Sequence, residues 1–172
     1  MYKRQNEGGL RVPLVMSGPG IAQRGQLTDE FVFVTDLAPT ILGLLNVGNH
    51  NGSWKGEAVE EIIGNDFSSF LAGENHAIHS TDEPIGYELG GNSALFKGDY
   101  KIVINKFEQN ETEWHLYNIK TDPGETNDLV NDEPQLFGEM LSDYEAWAEE
   151  NNVLPMPEGY LRGRAIFRGG FN

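Results

Sequence analysis

Residues 134–150 constrain the fold most, because Leu136, Met140, Leu141, Tyr144 and Trp147 recur at helical spacing behind a proline that suits a first helical turn. Such a stripe has to be covered by something apolar. Just upstream, Ser93–Phe96, Tyr100–Asn105 and Trp114–Asn118 read as three short strands, the first two joined at Gly98-Asp99, a two-residue hairpin turn in reversed order. Consecutive hairpins imply an antiparallel sheet, and the striped helix is expected to pack on it. In the last strand Trp114, Leu116 and Asn118 share one face, with His115 and Tyr117 on the other. The acids Glu139, Asp143, Glu145, Glu149 and Glu150 fall on the helix's outer face and are expected to meet water. Asp122-Pro123-Gly124-Glu125 is a turn in which proline fixes φ, glycine supplies an unusual angle and the flanking acids accept backbone hydrogens.

The first half of the chain is organised around Glu7-Gly8-Gly9-Leu10-Arg11-Val12-Pro13. Paired glycines permit a tight turn or a close backbone approach. The apolar run Leu10–Met16 then reads as a short buried strand, with Arg11 as its one charge. Glu7 and Arg11 are expected to hold the turn through an ion pair and backbone hydrogen bonds, since a buried arginine must find such partners. Thr35 or Asp36 can cap a helix carrying Leu37, Ile41, Leu44 and Leu45, with Pro39 in its first turn and Gly48 as its stop. Capping suits Asp36 better than metal ligation. Trp54 is expected to anchor the loop Asn49–Gly56, and a second short helix runs from Asp66 to Leu71, ending at Gly73. His76 and His79 are three apart, which on a helix could bring two imidazoles to one metal. Their neighbours Asn75, Ser80, Thr81, Asp82 and Pro84 argue for a loop, with no third ligand nearby.

Composition narrows the partners. The 172 residues carry a formal charge of −15, so nucleic acid and anionic membranes are excluded as expected partners: neutralising phosphates takes clustered Lys and Arg. A small anion is different, because it feels the few cations close to it rather than the net charge. With no cysteine, disulfides, thiolate metal sites and a cysteine nucleophile are ruled out within the chain. No apolar run reaches the roughly 20 residues that span a bilayer, and Met1–Gly9 does not read as a signal peptide. From Pro155 onward Arg162, Arg164 and Arg168 stand among glycines, which fits either docking on an acidic surface or a solvated end.

Several of these stretches together resemble the sulfatase family, of the alkaline-phosphatase-like superfamily. Lys3 with Glu7–Pro13 is similar to the lysine and E-G-G-[IL]-R-V-P motif late in its catalytic domain. Gly86-Tyr87-Glu88-Leu89, Phe96–Lys101, Trp114–Asn118 and Thr121–Leu129 resemble later landmarks of bacterial arylsulfatases, in the family's order. The resemblance implies an α/β fold: the end of an alkaline-phosphatase-like domain over residues 1–83, a small antiparallel sheet packed with a helix over 84–154, and a basic Gly-rich tail over 155–172. It implies the C-terminal portion of a sulfuric ester hydrolase whose missing N-terminal catalytic region is a partner, acting on a small-molecule or carbohydrate sulfate ester in the periplasm or outside the cell. The family's formylglycine nucleophile and the Asp, Asp, Asp and Asn that hold calcium lie upstream of the E-G-G motif, so the portion by itself is expected to be inactive and poorly soluble. Ser17-Gly18-Pro19-Gly20-Ile21 has the proline of the family's [C/S]-x-P-x-R site but an isoleucine where arginine belongs. What remains is Lys3 as a sulfate-binding cation and His79 near the substrate cleft. In the family the lysine stands five residues before the glutamate, whereas Lys3 stands four before Glu7, so Lys3 is either its equivalent after a one-residue deletion or an exposed terminal lysine. A phosphonate monoester or phosphodiester hydrolase of the same superfamily, and a non-catalytic binding module, are the competing readings.

Overall fold

The computed structural model describes residues 6–22, 25–48, 52–74, 76–106 and 112–155. In chain order the elements are α1 (Glu7–Leu10), a 3-10 turn (Val34–Asp36), α2 (Leu37–Leu44), β1 (Ser53–Trp54), β2 (Glu57–Ala58), α3 (Ser68–Leu71), β3 (Ile85–Leu89), β4 (Asn92–Lys97), β5 (Tyr100–Ile104), β6 (His115–Asn118) and α4 (Pro134–Glu150). The described residues fall into two units, one running to Pro13 and resuming at Thr81, the other spanning Leu14–Ser80.

The first unit is built on an antiparallel meander in the order β3-β4-β5-β6. Two-residue turns connect its first three strands: Leu89 faces Asn92 across Gly90-Gly91, and Lys97 faces Tyr100 across Gly98-Asp99. Gly98 sits at a φ of +56°, a backbone angle that suits glycine at a hairpin corner. Because strand side chains alternate, register decides what meets the helix. Gly86, Leu95, Ile102 and Leu116 form one row across all four strands. Leu95, Ile102 and Leu116 are fully buried with Met140 of α4, and Leu136, Leu141, Tyr144 and Trp147 pack around them. The helical stripe expected from spacing therefore is the cover of this row.

Gly86 ends the row without a side chain, and that gap is filled from the helix. A methyl placed there would overlap the indole of Trp147. Gly86→Ala is thus expected to overpack the site and lower stability by about 1–3 kcal/mol. Chemical denaturation checks this, with Trp147→Leu in the same background expected to return part of the loss.

Several expectations need correction. Strand β3 and the small β1–β2 hairpin were not expected. The hairpin turns through Lys55-Gly56, both at positive φ. Residues 11–17 adopt no strand, and Val12, Leu14 and Val15 are 73%, 49% and 89% exposed. An apolar run becomes a strand only where a ladder partner satisfies its backbone, and none pairs with it among the described residues. Asp143 does not simply face water, since its Oδ2 lies 2.6 Å from the ammonium of Lys97. Trp54 packs little, being 60% exposed, with the Lys55 ammonium 5.7 Å from its ring centre.

In the second unit α2 ends at Leu44, four residues before the expected Gly48 stop. Asn46 takes φ +53°, its N–H bonds Gly43 and the N–H of Val47 bonds Leu42, so asparagine rather than glycine supplies the left-handed residue that closes the helix. The apolar face of α2 is only partly covered: Ile41 is 52% and Leu45 66% exposed.

Candidate functional site

The Glu7-Gly8-Gly9 stretch is a single helical turn rather than a glycine-specific bend. The N–H groups of Gly9 and Leu10 bond the Asn6 carbonyl, and that of Arg11 bonds Glu7. A methyl at Gly8 would touch nothing, so close approach is not what that glycine provides. What fixes the turn is its side chains. Glu7 is 6% exposed, and its Oε1 accepts from the Lys101 ammonium at 3.1 Å. Lys101 is fully buried and also donates to Glu125 Oε1 at 2.8 Å. Glu125 Oε2 in turn accepts the backbone N–H of Glu7 at 3.1 Å. The side-chain amide of Asn105 donates to Asn6 Oδ1 at 3.1 Å, adding a second tie between strand and turn.

The expected Glu7–Arg11 pair is therefore replaced. Glu7 is matched with Lys101, and the exposed Arg11 donates to the Ile119 carbonyl at 3.4 Å. Alternation explains how Lys101 reaches the turn. Ile102 points at α4, so Lys101 and its register partner Phe96 point to the opposite face. The ammonium also lies 5.1 Å from the centre of the Phe96 ring. Sequence reading missed Lys101 and Glu125 because nothing local marks them. Lys101 stood only as the end of the Phe96–Lys101 stretch with no partner implied, and Glu125 looked like an ordinary turn acid.

The turn that carries Glu125 is braced by Asp122. Its carboxylate accepts the N–H groups of Thr126 and Asn127 and the Thr126 hydroxyl. The bond from Asn127, with those from Thr126, holds the Asp122 carboxyl below its ordinary range. Next along, Asp128 ties this loop to β6 through the N–H of Leu116 and the ring of His115, at 3.1 and 2.7 Å. Partial burial pushes its carboxyl up, but the bonds from His115, Leu116 and Val130 outweigh it, and the net value lies below the usual 3.8. A depressed folded value means that Asp128 stabilises the fold above the ordinary carboxylate range, and that this contribution disappears as pH falls through the folded value. Asp128→Asn is accordingly expected to flatten the acid limb of stability below about pH 4, as measured by denaturant midpoints across pH.

A second cluster lies in the Leu14–Ser80 unit. Asp36, fully buried, does not cap α2 through its side chain. It accepts instead from Phe33 N–H at 2.6 Å, from Asn65 N–H at 2.8 Å and from His79 Nε2 at 2.7 Å. Asn65 Nδ2 donates to the Ile78 carbonyl and lies 3.0 Å from His79 Nδ1, which makes Nδ1 an acceptor and Nε2 the protonated nitrogen. Both ring nitrogens of His79 thus face protein groups. The ring of Phe31 meets its edge. Gly64, at φ +98°, lets the chain pass against Thr35 and Asp36, where a side chain would collide with backbone. His76 diverges from His79 and meets the Ser69 hydroxyl at 3.1 Å.

Lys3 lies outside the described residues, as do Arg4 and the arginines of the tail. Among the described residues no three His, Asp or Glu side chains converge on a point that could hold a cation. The donors among the described residues do not make a calcium site, the resemblance assigning the calcium ligands to preceding sequence, and Asp36 is already committed to two backbone N–H groups and a histidine.

Comparison with known proteins identifies the family. Residues 2–143 match the family model described as N-sulphoglucosamine sulphohydrolase, C-terminal. An uncharacterized sulfatase of Schizosaccharomyces pombe is 31% identical over 156 residues, covering 90% of this chain and 28% of its own length. A sulfatase of Formosa agariphila is 26% identical over 162 residues, again 86% of this chain and 28% of its own. The chain thus spans little more than a quarter of the curated relatives it matches. Among solved structures, Ps i-CgsB in complex with k-i-k-neocarrahexaose shares the fold at a TM-score of 0.50 and 22% identity, over 79% of this chain and 29% of that one. The chain belongs to the sulfatase family of hydrolases, as its C-terminal region.

Proposed function

We propose that this chain is the C-terminal part of an arylsulfatase-like enzyme that cleaves a sulfate ester to an alcohol or phenol and sulfate. The observation that carries the reading is the family match over residues 2–143 together with coverage of only 28% of each relative. In this reading residues 1–83 belong to the end of the catalytic domain and 84–154 to the small antiparallel subdomain. The nucleophile and the calcium ligands belong to preceding sequence. Calcium, when bound there, supplies positive charge for the sulfuryl oxygens.

The part assigned to this chain is a cation. The Lys3 ammonium donates a charge-assisted hydrogen bond to a sulfate oxygen, and it acts on rate to the extent that the bond tightens as charge develops. His79, with both nitrogens facing Asp36 and Asn65, braces its loop rather than donating to substrate. A sulfated carbohydrate is the preferred substrate class, in keeping with the neocarrahexaose on the neighbouring fold. Exposed Leu14, Val15, Ile41 and Leu45 support a docking face for the rest of the catalytic domain.

The test uses the complete open reading frame that encodes these residues. Its product is expected to turn over an aryl sulfate, and Lys3→Ala to lower kcat/KM by about 10²–10³, as for loss of other oxyanion donors. Turnover by the 172 residues alone, or full activity in Lys3→Ala, would contradict this reading.

A further inference from the structure

Three stretches far apart in sequence meet at one buried point: the Glu7 turn, β5 and the turn after Asp122. Glu7 lies 94 residues from Lys101 and 118 from Glu125, yet the three side chains are 7%, 0% and 3% exposed. Burying three ionisable groups is unfavourable unless each finds partners, and an apolar core is the usual alternative. Glu125 adds a second cost, since it sits at φ +52°, where a side chain is strained and glycine is not. Gly124 stands next to it at an ordinary φ, so the turn has its glycine one place away from where conformation alone would want it. The carboxylate is therefore what position 125 requires, and its two oxygens go to the Lys101 ammonium and the Glu7 N–H.

We propose that Lys101 and Glu125 are positioning residues: through Glu7 they fix the turn Asn6–Arg11 on the face of the sheet opposite α4, and so set where the chain just before that turn is presented. The inference rests on the proposed function only in that this preceding chain carries Lys3. A glutamine at 125 cannot replace the carboxylate, because its amide would turn a donor toward either the ammonium or the Glu7 N–H.

The deciding variants are Glu125→Gln and Glu125→Gly, the second of which removes backbone strain as well as the carboxylate. In the full chain, hydrogen exchange at the amides of Leu10 and Arg11 is expected to accelerate at least tenfold in both, while those of Leu95 and Ile102 change less than twofold. Exchange at Leu10 and Arg11 within twofold of wild type in both variants would overturn the proposal. In the product of the complete reading frame, assayed well below each variant's Tm, Glu125→Gln is expected to lower kcat/KM for an aryl sulfate at least tenfold, and to lower it no further once Lys3 is alanine. An equal fold loss with and without Lys3 would also overturn it. An unaffected Lys3→Ala variant removes the functional reading of Lys3 instead, and the exchange measurement then decides the inference alone.

Discussion

Replacing Lys101 by methionine is expected to destabilise the sheet-bearing unit by about 3–5 kcal/mol, because it removes one partner of a buried ion network and leaves two carboxylates facing each other. Methionine nearly matches the aliphatic stem, so lost packing contributes little. The telling comparison is the triple variant Lys101→Met, Glu7→Gln, Glu125→Gln, which removes all three charges. It is expected to recover much of the loss despite carrying more substitutions, since no uncompensated charge remains. Urea midpoints of the two proteins measure this, and a triple variant less stable than Lys101→Met would show that the lysine acts through packing rather than charge.

The second large effect is expected at Asp36. Alanine there leaves the Phe33 and Asn65 N–H groups and the protonated His79 nitrogen without their acceptor. An orphaned buried donor costs about 1–3 kcal/mol, so a loss of about 3 kcal/mol or more is expected in the Leu14–Ser80 unit, with relaxation limiting simple addition. Asp36→Asn keeps one acceptor oxygen and should fall between. Thermal melts of the three proteins, read at Trp54 in that unit, test the order.

How much could be read from sequence depended on the range of the interaction. The stripe Leu136–Trp147 and the corner Gly98-Asp99 were legible because spacing and turn chemistry are local properties, and both elements stand where they were expected. Leu10–Met16 misled for the converse reason: apolar residues state a wish to be covered, whereas a strand also needs a neighbour to bond. Strand β3 was hidden by Gly86 and Glu88, whose roles emerge only when Trp147 lies over the glycine and the Glu88 carboxylate receives the Gly91 N–H. The candidate site was legible as motifs but not as contacts. Lys3, Glu7 and the Asp122–Glu125 turn were each singled out, yet no pattern in the string announces that a lysine 94 residues downstream joins two of them.

That separation bears on how the protein is made. Glu7 leaves the ribosome 118 residues ahead of the glutamate that receives its backbone N–H, and 94 ahead of the lysine. At translation rates of about 5–20 residues per second the turn waits on the order of ten seconds for its partners, while hairpins of the meander close within microseconds of emerging. Of the three stretches the one made first thus waits longest to be locked, and an acidic side chain destined for the interior spends that interval in water.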